Sequence, residues 1–369
     1  MIYLDYAANT PVDEEVLKTY IESTREYIAN PNSSHQAGKL AKEAIDKAST
    51  HIAKYFNCKK DSVIYTSGSS ESNNLVLKGI AERNKNKGNH IIVSPIEHSS
   101  IVAPCNYLST KGYDISIIPL TKEGTIDLKK LKEAITDKTI LVSICAVDSE
   151  LGTIQPIEEI GNIVKEYPHC IFHTDATQAI GKVNIDYSNV DFITFTPHKF
   201  FGLNGFGCLI NRNNIKLVPL IHGGKSTTIY RSGTPVTANV VALDKALTIA
   251  MDNLESRRKY IKELNDILRN SFKENKDIHI NSPINSIPNT INISLINHDT
   301  KKIIKKLEEK EIYVSTTTAC AIGDMPSKSV LAITGSEEFA SNTIRISISH
   351  LTKESEIDEF LSIFKNLLK

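Results

Sequence analysis

The sequence has no excess of either charge, because Lys plus Arg and Asp plus Glu both number 43 in 369 residues. A balanced surface disfavours nucleic acid and anionic membranes as partners. The chain also lacks an apolar run long enough to span a bilayer. Its first residues, MIYLDYAANTP, lack the basic and then apolar segments of an export signal. We therefore expect a cytoplasmic protein that contacts neither membrane nor nucleic acid directly.

The sequence also lacks paired cysteines. None of its six cysteines forms a CxxC motif, which disfavours a zinc site and a disulfide framework, and free thiols fit a reducing cytosol. No metal site is therefore expected. The cysteines are Cys58, Cys105, Cys145, Cys170, Cys208 and Cys320.

Short apolar strands alternate with helical patterns through the first two thirds of the chain. This alternation predicts an α/β fold with a mostly parallel sheet, whose ligands bind at the carboxyl ends of the strands. Three polar stretches fall at such ends: Glu97-His98, Asp175 to Gln178 and His198-Lys199. The strand candidates are 63–65, 91–94, 115–118, 140–147, 171–174, 191–195 and 208–210.

A long helical pattern over 236–272 leads to a second unit with three strand candidates, near 278–281, 289–295 and 343–348. The pattern predicts two domains. A large α/β domain spans 14–252, and a smaller α+β domain combines 1–13 with 253–369.

The segment TFTPHKFFG, residues 194–202, places Lys199 at a strand end beside apolar residues. Such a lysine loses its proton more readily than a surface lysine and can form a Schiff base with an aldehyde, as pyridoxal phosphate (PLP) enzymes require. If the His198-Lys199 pair is considered alone, the alternative is that Lys199 is a surface lysine in a loop.

Three other candidate sites each have a functional and a purely structural interpretation. The Gly/Ser turn 67–70 opens a helix and predicts an anion site or merely a capped helix. Asp175 can hold a pyridinium N–H or cap a helix. His98 can stack on a ring and carry a proton, or be solvated.

Two further candidates lie in the second unit. Cys320, in the small and polar segment TTTACAIGD, is either a reactive thiol or an incidental loop cysteine. Arg345 lies in the strand pattern NTIRISIS. It either binds a substrate carboxylate through two N–H groups or pairs with a carboxylate of the fold.

Taken together, these stretches resemble the cysteine desulfurases of the NifS/IscS type, which are PLP enzymes of the class V aminotransferase group, and in particular the branch with a long catalytic loop. The resemblance covers nearly the whole chain and implies a fold type I PLP transferase with a seven-stranded sheet. The matching stretches, in the order of the family, are ANPNSSHQAG, YTSGSSESNN, IEHSS, ELGTIQPI, HTDATQAIGK, HKFFG, RSGT, TACAIG and NTIRISIS.

The resemblance implies a role for each candidate. Lys199 holds PLP, Asp175 faces the pyridine nitrogen, Gln178 the phenolic oxygen, and His98 stacks on the ring. Arg345 binds the carboxylate of L-cysteine with Asn32 nearby, and Cys320 takes the sulfur as a persulfide. The phosphate is held by Ser69, Ser70, Thr196, His198 and, from the other subunit of a homodimer, Thr234.

The sequence departs from the family pattern at several positions. The usual Asn-Asn-Glu is Asp148-Ser149-Glu150, so Ser149, a candidate cofactor contact, replaces a longer side chain. Ser70 and Thr196 keep the hydroxyls of the residues they replace. Lys225 to Thr227 and Thr316 to Thr318 also differ, and the changes indicate a specialised paralogue with an altered rate or acceptor.

The predicted activity is conversion of L-cysteine to L-alanine, with sulfur passed from Cys320 to an acceptor protein. The acceptor would be a scaffold for iron–sulfur clusters, a tRNA thiolase or an enzyme of sulfur-cofactor synthesis. The alternatives are a selenocysteine lyase, another class V enzyme, and a non-catalytic regulator of sulfur transfer. An aminotransferase needs no thiol at Cys320, and a decayed copy has no need to keep Lys199, Asp175, His98 and Arg345 together.

Overall fold

A computed structural model describes residues 1–225, 227–316 and 325–369. The strands that it describes lie between residues 2 and 347. They are β1 (Ile2–Tyr3), β2 (Val63–Thr66), β3 (His90–Val93), β4 (Asp114–Ile117), β5 (Thr139–Ser143), β6 (Ile171–Asp175), β7 (Phe192–Phe195), β8 (Gly207–Asn211), β9 (Ile278–Ile280), β10 (Thr290–Leu295), β11 (Ile312–Tyr313) and β12 (Thr343–Ser347).

Helices occupy most of the remaining described chain. They are α1 (Glu14–Glu26), α2 (Gln36–Tyr55), α3 (Ser69–Asn84), α4 (Ser99–Ser109), α5 (Leu128–Ala134), α6 (Ile157–Lys165), α7 (Thr237–Asp252), α8 (Leu254–Lys273), α9 (Thr300–Glu308), α10 (Lys328–Thr334), α11 (Glu337–Ser341) and α12 (Glu354–Leu367). None of these described helices combines the length and the apolar character that a bilayer crossing needs.

The large sheet has seven strands in the order β2-β8-β7-β6-β5-β3-β4. All neighbouring pairs are parallel except those made by β8, which runs antiparallel to β2 and β7. Every residue of β3, β5, β6, β7 and β8 is buried. Burial on both faces explains why apolar residues stand next to one another in these strands and do not alternate with polar ones, as expected for a sheet covered by helices on both faces. The predicted α/β fold with a mostly parallel seven-stranded sheet is confirmed.

A second apolar cluster forms around the three-stranded antiparallel sheet β12-β10-β9. It includes Ile2 and Leu4 from the amino terminus, because β1 pairs with β11 and extends the chain into this cluster. The proposed boundaries of the two domains, at 13/14 and 252/253, stay a prediction that this separate cluster supports.

The predicted continuous helix over 236–272 is wrong. α7 ends at Asp252 and α8 begins at Leu254, because Asn253 leaves helical geometry with φ −102° and ψ 6°. The predicted strand 140–147 is also too long, since β5 ends at Ser143 and the chain beyond it forms an isolated bridge between Val147 and Ile154.

Candidate active site

A cavity of about 340 Å³ opens at the carboxyl ends of β3, β5, β6 and β7. The parallel strands deliver polar side chains to one edge of the sheet, where ligands of such folds bind. Its lining comprises Ala7, Ala8, Ser67, Gly68, Ser69, Ser70, Glu71, Ile96, His98, Cys145, Val147, Ser149, Asp175, Thr177, Gln178, Thr196, His198, Lys199 and Arg345.

Lys199 follows β7 in a single 3₁₀ turn, Pro197–Lys199. The turn folds back tightly at Gly202, where an added Cβ would lie 2.4 Å from the Cβ of Pro197. The Lys199 Nζ donates to the carbonyl oxygens of Ala7 at 2.9 Å and Ala8 at 2.5 Å. The half-buried amine is therefore fixed inside the cavity, and the alternative of a surface lysine in a loop does not describe it.

Asp175 is the last residue of β6 and is buried. Its Oδ1 accepts from the backbone N–H of Thr177 at 2.9 Å, and its Oδ2 accepts from Asn73 Nδ2 at 2.7 Å. The alternative that Asp175 caps a helix is wrong, because β6 is followed by a turn and not by a helix, and one carboxylate oxygen holds that turn. The carboxyl group nevertheless lines the cavity, as a partner for a pyridinium nitrogen must.

Gln178 belongs to a buried chain of hydrogen bonds that ends at the same carbonyl as Lys199. Lys182 Nζ donates to Gln178 Oε1 at 2.5 Å, and Gln178 Nε2 donates to the Ala7 oxygen at 2.9 Å. Burial, with a smaller effect from the charges of Lys199 and Arg345, lowers the pKa of Lys182 to about 7. Lys182 thereby fixes the Gln178 amide with its N–H₂ group towards Ala7, and the contact of Gln178 with a phenolic oxygen stays a prediction.

His98 precedes α4 and caps it. Its Nδ1 accepts from the backbone N–H of Ser100 at 3.2 Å and lies 2.8 Å from Ser100 Oγ. Burial lowers the pKa of His98; Asp175 opposes this shift and Lys199 adds to it. The preceding Glu97 is buried and accepts from the Cys145 N–H at 2.8 Å, which ties the loop after β3 to the chain after β5.

One end of the cavity is formed by the start of α3. Its N-cap, Gly68, supplies no side-chain acceptor, so this helix end is available to an anion. Gly207 allows the turn to approach β8 closely, because an added Cβ there would lie 2.5 Å from Gly68 backbone atoms. The hydroxyls of Ser69 and Thr177 lie 2.7 Å apart at the same place.

Thr196 and His198 complete this end of the cavity. The Thr196 hydroxyl donates to the Phe206 oxygen at 2.7 Å, so its contact with His198 Nδ1 at 3.0 Å is one in which the ring donates. Burial and the charge of Lys199 lower the pKa of His198 to about 4. Thr196 and His198 therefore lie where the phosphate contacts are predicted, already ordered by each other.

Arg345 pairs with a carboxylate of the fold, and its contact with a substrate carboxylate stays a prediction. The guanidinium is almost fully buried, with its Nη2 2.7 Å from Asp5 Oδ1 and its Nη1 donating to the Ser149 oxygen at 3.1 Å. Its Nε finds no partner among the described residues. Since guanidinium has five N–H donors, the pair with Asp5 leaves donors for a carboxylate in the cavity.

Two predicted residues do not line this cavity. Thr234 is exposed, and its reach into the other subunit stays a prediction. Asn32 lines a different cavity, together with Lys42, Lys225 and Tyr230, so the structure does not bring it beside Arg345 as the resemblance implied. Cys320, Ser226, Thr317 and Thr318 lie outside the described residues.

Several residues that support the site were missed in the sequence. Asn73 and Ser100 hold Asp175 and His98, while Asp5 and Lys182 hold Arg345 and Gln178. Asn73, Ser100 and Lys182 lie in stretches that resemble the family, but stretches of this kind do not say which side chains touch one another. For Asn73, the first of two consecutive asparagines on α3, only the fold shows which one turns inward.

The residues that line the cavity fit PLP. A volume of about 340 Å³ falls in the range of roughly 300–1,000 Å³ usual for cofactor sites. The cavity has an amine, a buried carboxylate and an uncapped helix start, which match the aldehyde, the ring nitrogen and the phosphate of PLP. Among the described residues, no group of three or more His, Cys, Asp and Glu side chains is placed to hold a metal ion.

The departure Asp148-Ser149-Glu150 places two buried carboxyl groups beside the cavity. Asp148 accepts from the Leu151 N–H at 2.5 Å and from Ser329 Oγ at 2.9 Å, and Glu150 accepts from Ser327 Oγ. Both serines follow directly on the segment that contains Cys320. The two carboxyl groups thus hold the start of α10 against the loop after β5.

We predict that Asp148→Asn stabilises the protein at pH 8 but not at pH 4.5. Burial raises the pKa of Asp148 from 3.8 to about 6, so the folded chain holds an extra proton between about pH 4 and 6. Stability from this group is therefore lost as the pH rises through 6, and the amide avoids that loss. Urea unfolding of both proteins should give a difference of up to about 3 kcal/mol at pH 8. An equal loss of stability at both pH values would contradict this.

Known proteins share this architecture over the full chain. The sequence model of the aminotransferase class-V family matches residues 2–360. "Cysteine desulfurase IscS" of Dictyoglomus turgidum is 36% identical over 373 residues, covering 100% of this chain and 94% of the relative. The solved structure titled "NIFS-LIKE PROTEIN" has a TM-score of 0.93 at 33% identity, covering 100% of this chain and 99% of that one. "SspA in complex with cysteine" has a TM-score of 0.83 at 33% identity and covers 94% and 99%.

Sequence and structure agree in these comparisons. The matches extend through both sheets and include every element that contributes to the cavity. The chain therefore belongs to the class-V aminotransferase family and, within it, to the cysteine desulfurases.

Proposed function

We propose that this protein uses PLP to convert L-cysteine to L-alanine and keeps the sulfur as a persulfide on Cys320. The observation that carries the proposal is the convergence of Lys199, Asp175, His98 and Arg345 on one cavity. The solved relative in complex with cysteine supports the choice of substrate. Cysteine desulfurases are PLP enzymes, and the cavity matches that cofactor.

PLP, when bound, supplies an aldehyde carbon that condenses with amines and a ring that accepts the electron pair released at the substrate Cα. The chain supplies the rest. Lys199 holds the cofactor and, once released as a neutral amine, takes the Cα proton. Asp175 keeps the ring nitrogen protonated, and Arg345 fixes the substrate carboxylate so that the Cα faces Lys199.

Sulfur transfer is assigned to Cys320. Its thiolate forms an S–S bond with the substrate sulfur while the Cβ–S bond breaks, and the electron pair of that bond stays with the carbon part. Protonation of this part gives alanine, and Cys320 retains the S–SH group. Atoms and electrons balance without an external oxidant.

The proposed assembly is a cytoplasmic homodimer that passes sulfur to an acceptor protein. Thr234 is exposed, beside exposed Ile229 and Val236, where a second copy can cover apolar surface and receive the threonine. All five cysteines that the structure describes are free thiols, which fits a reducing compartment. The acceptor is proposed to be a scaffold for iron–sulfur clusters or a tRNA thiolase.

The function is tested by incubating the purified protein with PLP, a thiol reductant and either L-cysteine or L-selenocysteine. Equimolar alanine and sulfide from cysteine support the proposal. Turnover of selenocysteine alone would favour a selenocysteine lyase. Alanine formation only when a 2-oxo acid is supplied would favour an aminotransferase.

We predict that Arg345→Lys raises KM for L-cysteine roughly 10- to 100-fold and changes kcat little. Lysine keeps the positive charge beside Asp5 but lacks the paired N–H donors of the guanidinium group. Hydrogen bonds to a charged group are worth about 1.5–3 kcal/mol, so their loss weakens substrate binding. Steady-state kinetics with cysteamine, which lacks the carboxylate, provide the control. An equal loss with cysteamine would show that Arg345 acts through the fold and not on the substrate.

A further inference from the structure

A continuous run of hydrogen bonds joins Asp175 to His98 behind the cavity. Asn73 Nδ2 donates to Asp175 Oδ2 at 2.7 Å and to Ser100 Oγ at 2.8 Å. Ser100 Oγ is in turn 2.8 Å from His98 Nδ1. Asn73 and Ser100 are buried, so water does not compete for these contacts.

The direction of each bond in this run is fixed by chemistry. Since an Asp carboxylate only accepts, Asn73 must turn its N–H₂ group, and not its oxygen, towards Asp175. The second hydrogen of that group goes to Ser100 Oγ. The backbone N–H of Ser100, which can only donate, points at His98 Nδ1 from 3.2 Å, so this nitrogen presents a lone pair and the Ser100 hydroxyl donates to it as well.

We propose that Asn73 and Ser100 are positioning residues that hold His98 in the neutral tautomer with its proton on Nε2. The proposal rests on the function proposed above and assigns His98 a narrower part in it. With two donors aimed at Nδ1, that nitrogen carries no proton. The ring nitrogen across from it, Nε2, bears the hydrogen and has no lone pair to accept another proton.

The unused side of Asn73 supports a functional reading. Its Oδ1 is buried and finds no partner among the described residues, and leaving a buried polar atom without a hydrogen bond is destabilising. An amide kept only for structure would be satisfied on both sides. The cost is explained if the side chain is retained because its N–H₂ group donates hydrogen bonds to both Asp175 and Ser100.

In the proposed reaction His98 and Lys199 therefore have different roles. His98 enters the cavity as an N–H donor that stacks and hydrogen-bonds, and it does not remove the Cα proton. Proton removal is left to Lys199, the amine that faces the carbonyl oxygens of Ala7 and Ala8. The charge of a protonated Lys199 also disfavours a cationic His98.

The tautomer can be read directly by NMR in the cofactor-free protein labelled with ¹⁵N at its histidine rings. Loss of one ring system in His98→Gln assigns the signals. At pH 7 we expect the Nδ1 shift of an unprotonated nitrogen and the Nε2 shift of a protonated one. A proton on Nδ1, or an imidazolium at this pH, would overturn the proposal whatever the protein does with cysteine.

Variants show whether Asn73 and Ser100 set this state. In Asn73→Leu and Ser100→Ala both ring nitrogens should move part of the way towards the average of the two tautomers, since the backbone N–H of residue 100 still donates to Nδ1, and kcat of the holoenzyme should fall roughly 10-fold. Ser100→Thr, which retains a hydroxyl, should restore the shifts. The matched control is Asn74→Ala, on the neighbouring half-buried asparagine of α3. Unchanged ring shifts in both Asn73→Leu and Ser100→Ala would overturn the positioning role, even in a protein that desulfurates cysteine normally.

Discussion

Replacing Lys199 with alanine is expected to abolish the visible absorption of bound PLP and to lower cysteine turnover roughly 10²- to 10⁴-fold. Lys199 is the amine assigned to the covalent bond, and it is also the proposed base for the Cα proton. Absorption spectra of the variant after incubation with PLP, together with alanine release, measure both effects. An unchanged spectrum would remove Lys199 from its central role.

The matched control is Lys182→Met. Lys182 is a second half-buried lysine near the cavity, but its amine is bound to Gln178 Oε1. Methionine keeps most of the volume, so this variant should retain the absorption band even if the Gln178 amide turns. Loss of the band in Lys182→Met and its survival in Lys199→Ala would exchange the roles of the two lysines.

The second large effect is expected for Cys320→Ser. Serine cannot carry a persulfide, so the variant should bind PLP and L-cysteine normally while sulfur release to a thiol acceptor falls to background. Binding can be followed through the spectral change on addition of cysteine. Sulfide formation under a reductant then measures the transfer step separately.

Cys58→Ser is the appropriate control for that experiment. Cys58 is half-buried, whereas the other four described cysteines are buried, so it is the described thiol most accessible to substrate sulfur. Burial raises its pKa, which disfavours the reactive thiolate. We expect Cys58→Ser to retain full turnover. Full turnover in Cys320→Ser, with loss in Cys58→Ser, would reassign the nucleophile.

Much of the fold could be predicted from local patterns. The strands of the large sheet other than the edge strand β4 are buried and are therefore rich in apolar residues, and β3, β6 and β7 end within about a residue of the predicted positions. The break at Asn253 could not be predicted, because the apolar periodicity continues across it from α7 into α8. A single residue outside helical geometry leaves little trace in the pattern.

The site was predictable where one residue type at a strand end suffices, as for Lys199, Asp175 and His98. It was not predictable where the chemistry depends on contacts between distant segments. Asp5 and Arg345 are 340 positions apart, and Asn73 and Asp175 are 102 apart. The directions of hydrogen bonds among Asn73, Ser100 and His98 follow only from their placement in space. Asn32 shows the converse, a stretch that matches the family without placing its side chain in this cavity.

The most direct test of the account is a single turnover with L-cysteine labelled with ³⁴S, followed by mass spectrometry of the peptide that contains Cys320. We predict one equivalent of alanine and one labelled sulfur atom on Cys320, removed by a reductant as sulfide. Alanine without label on Cys320 would contradict the assigned sulfur carrier. A protein that binds PLP but forms no alanine would contradict desulfuration itself.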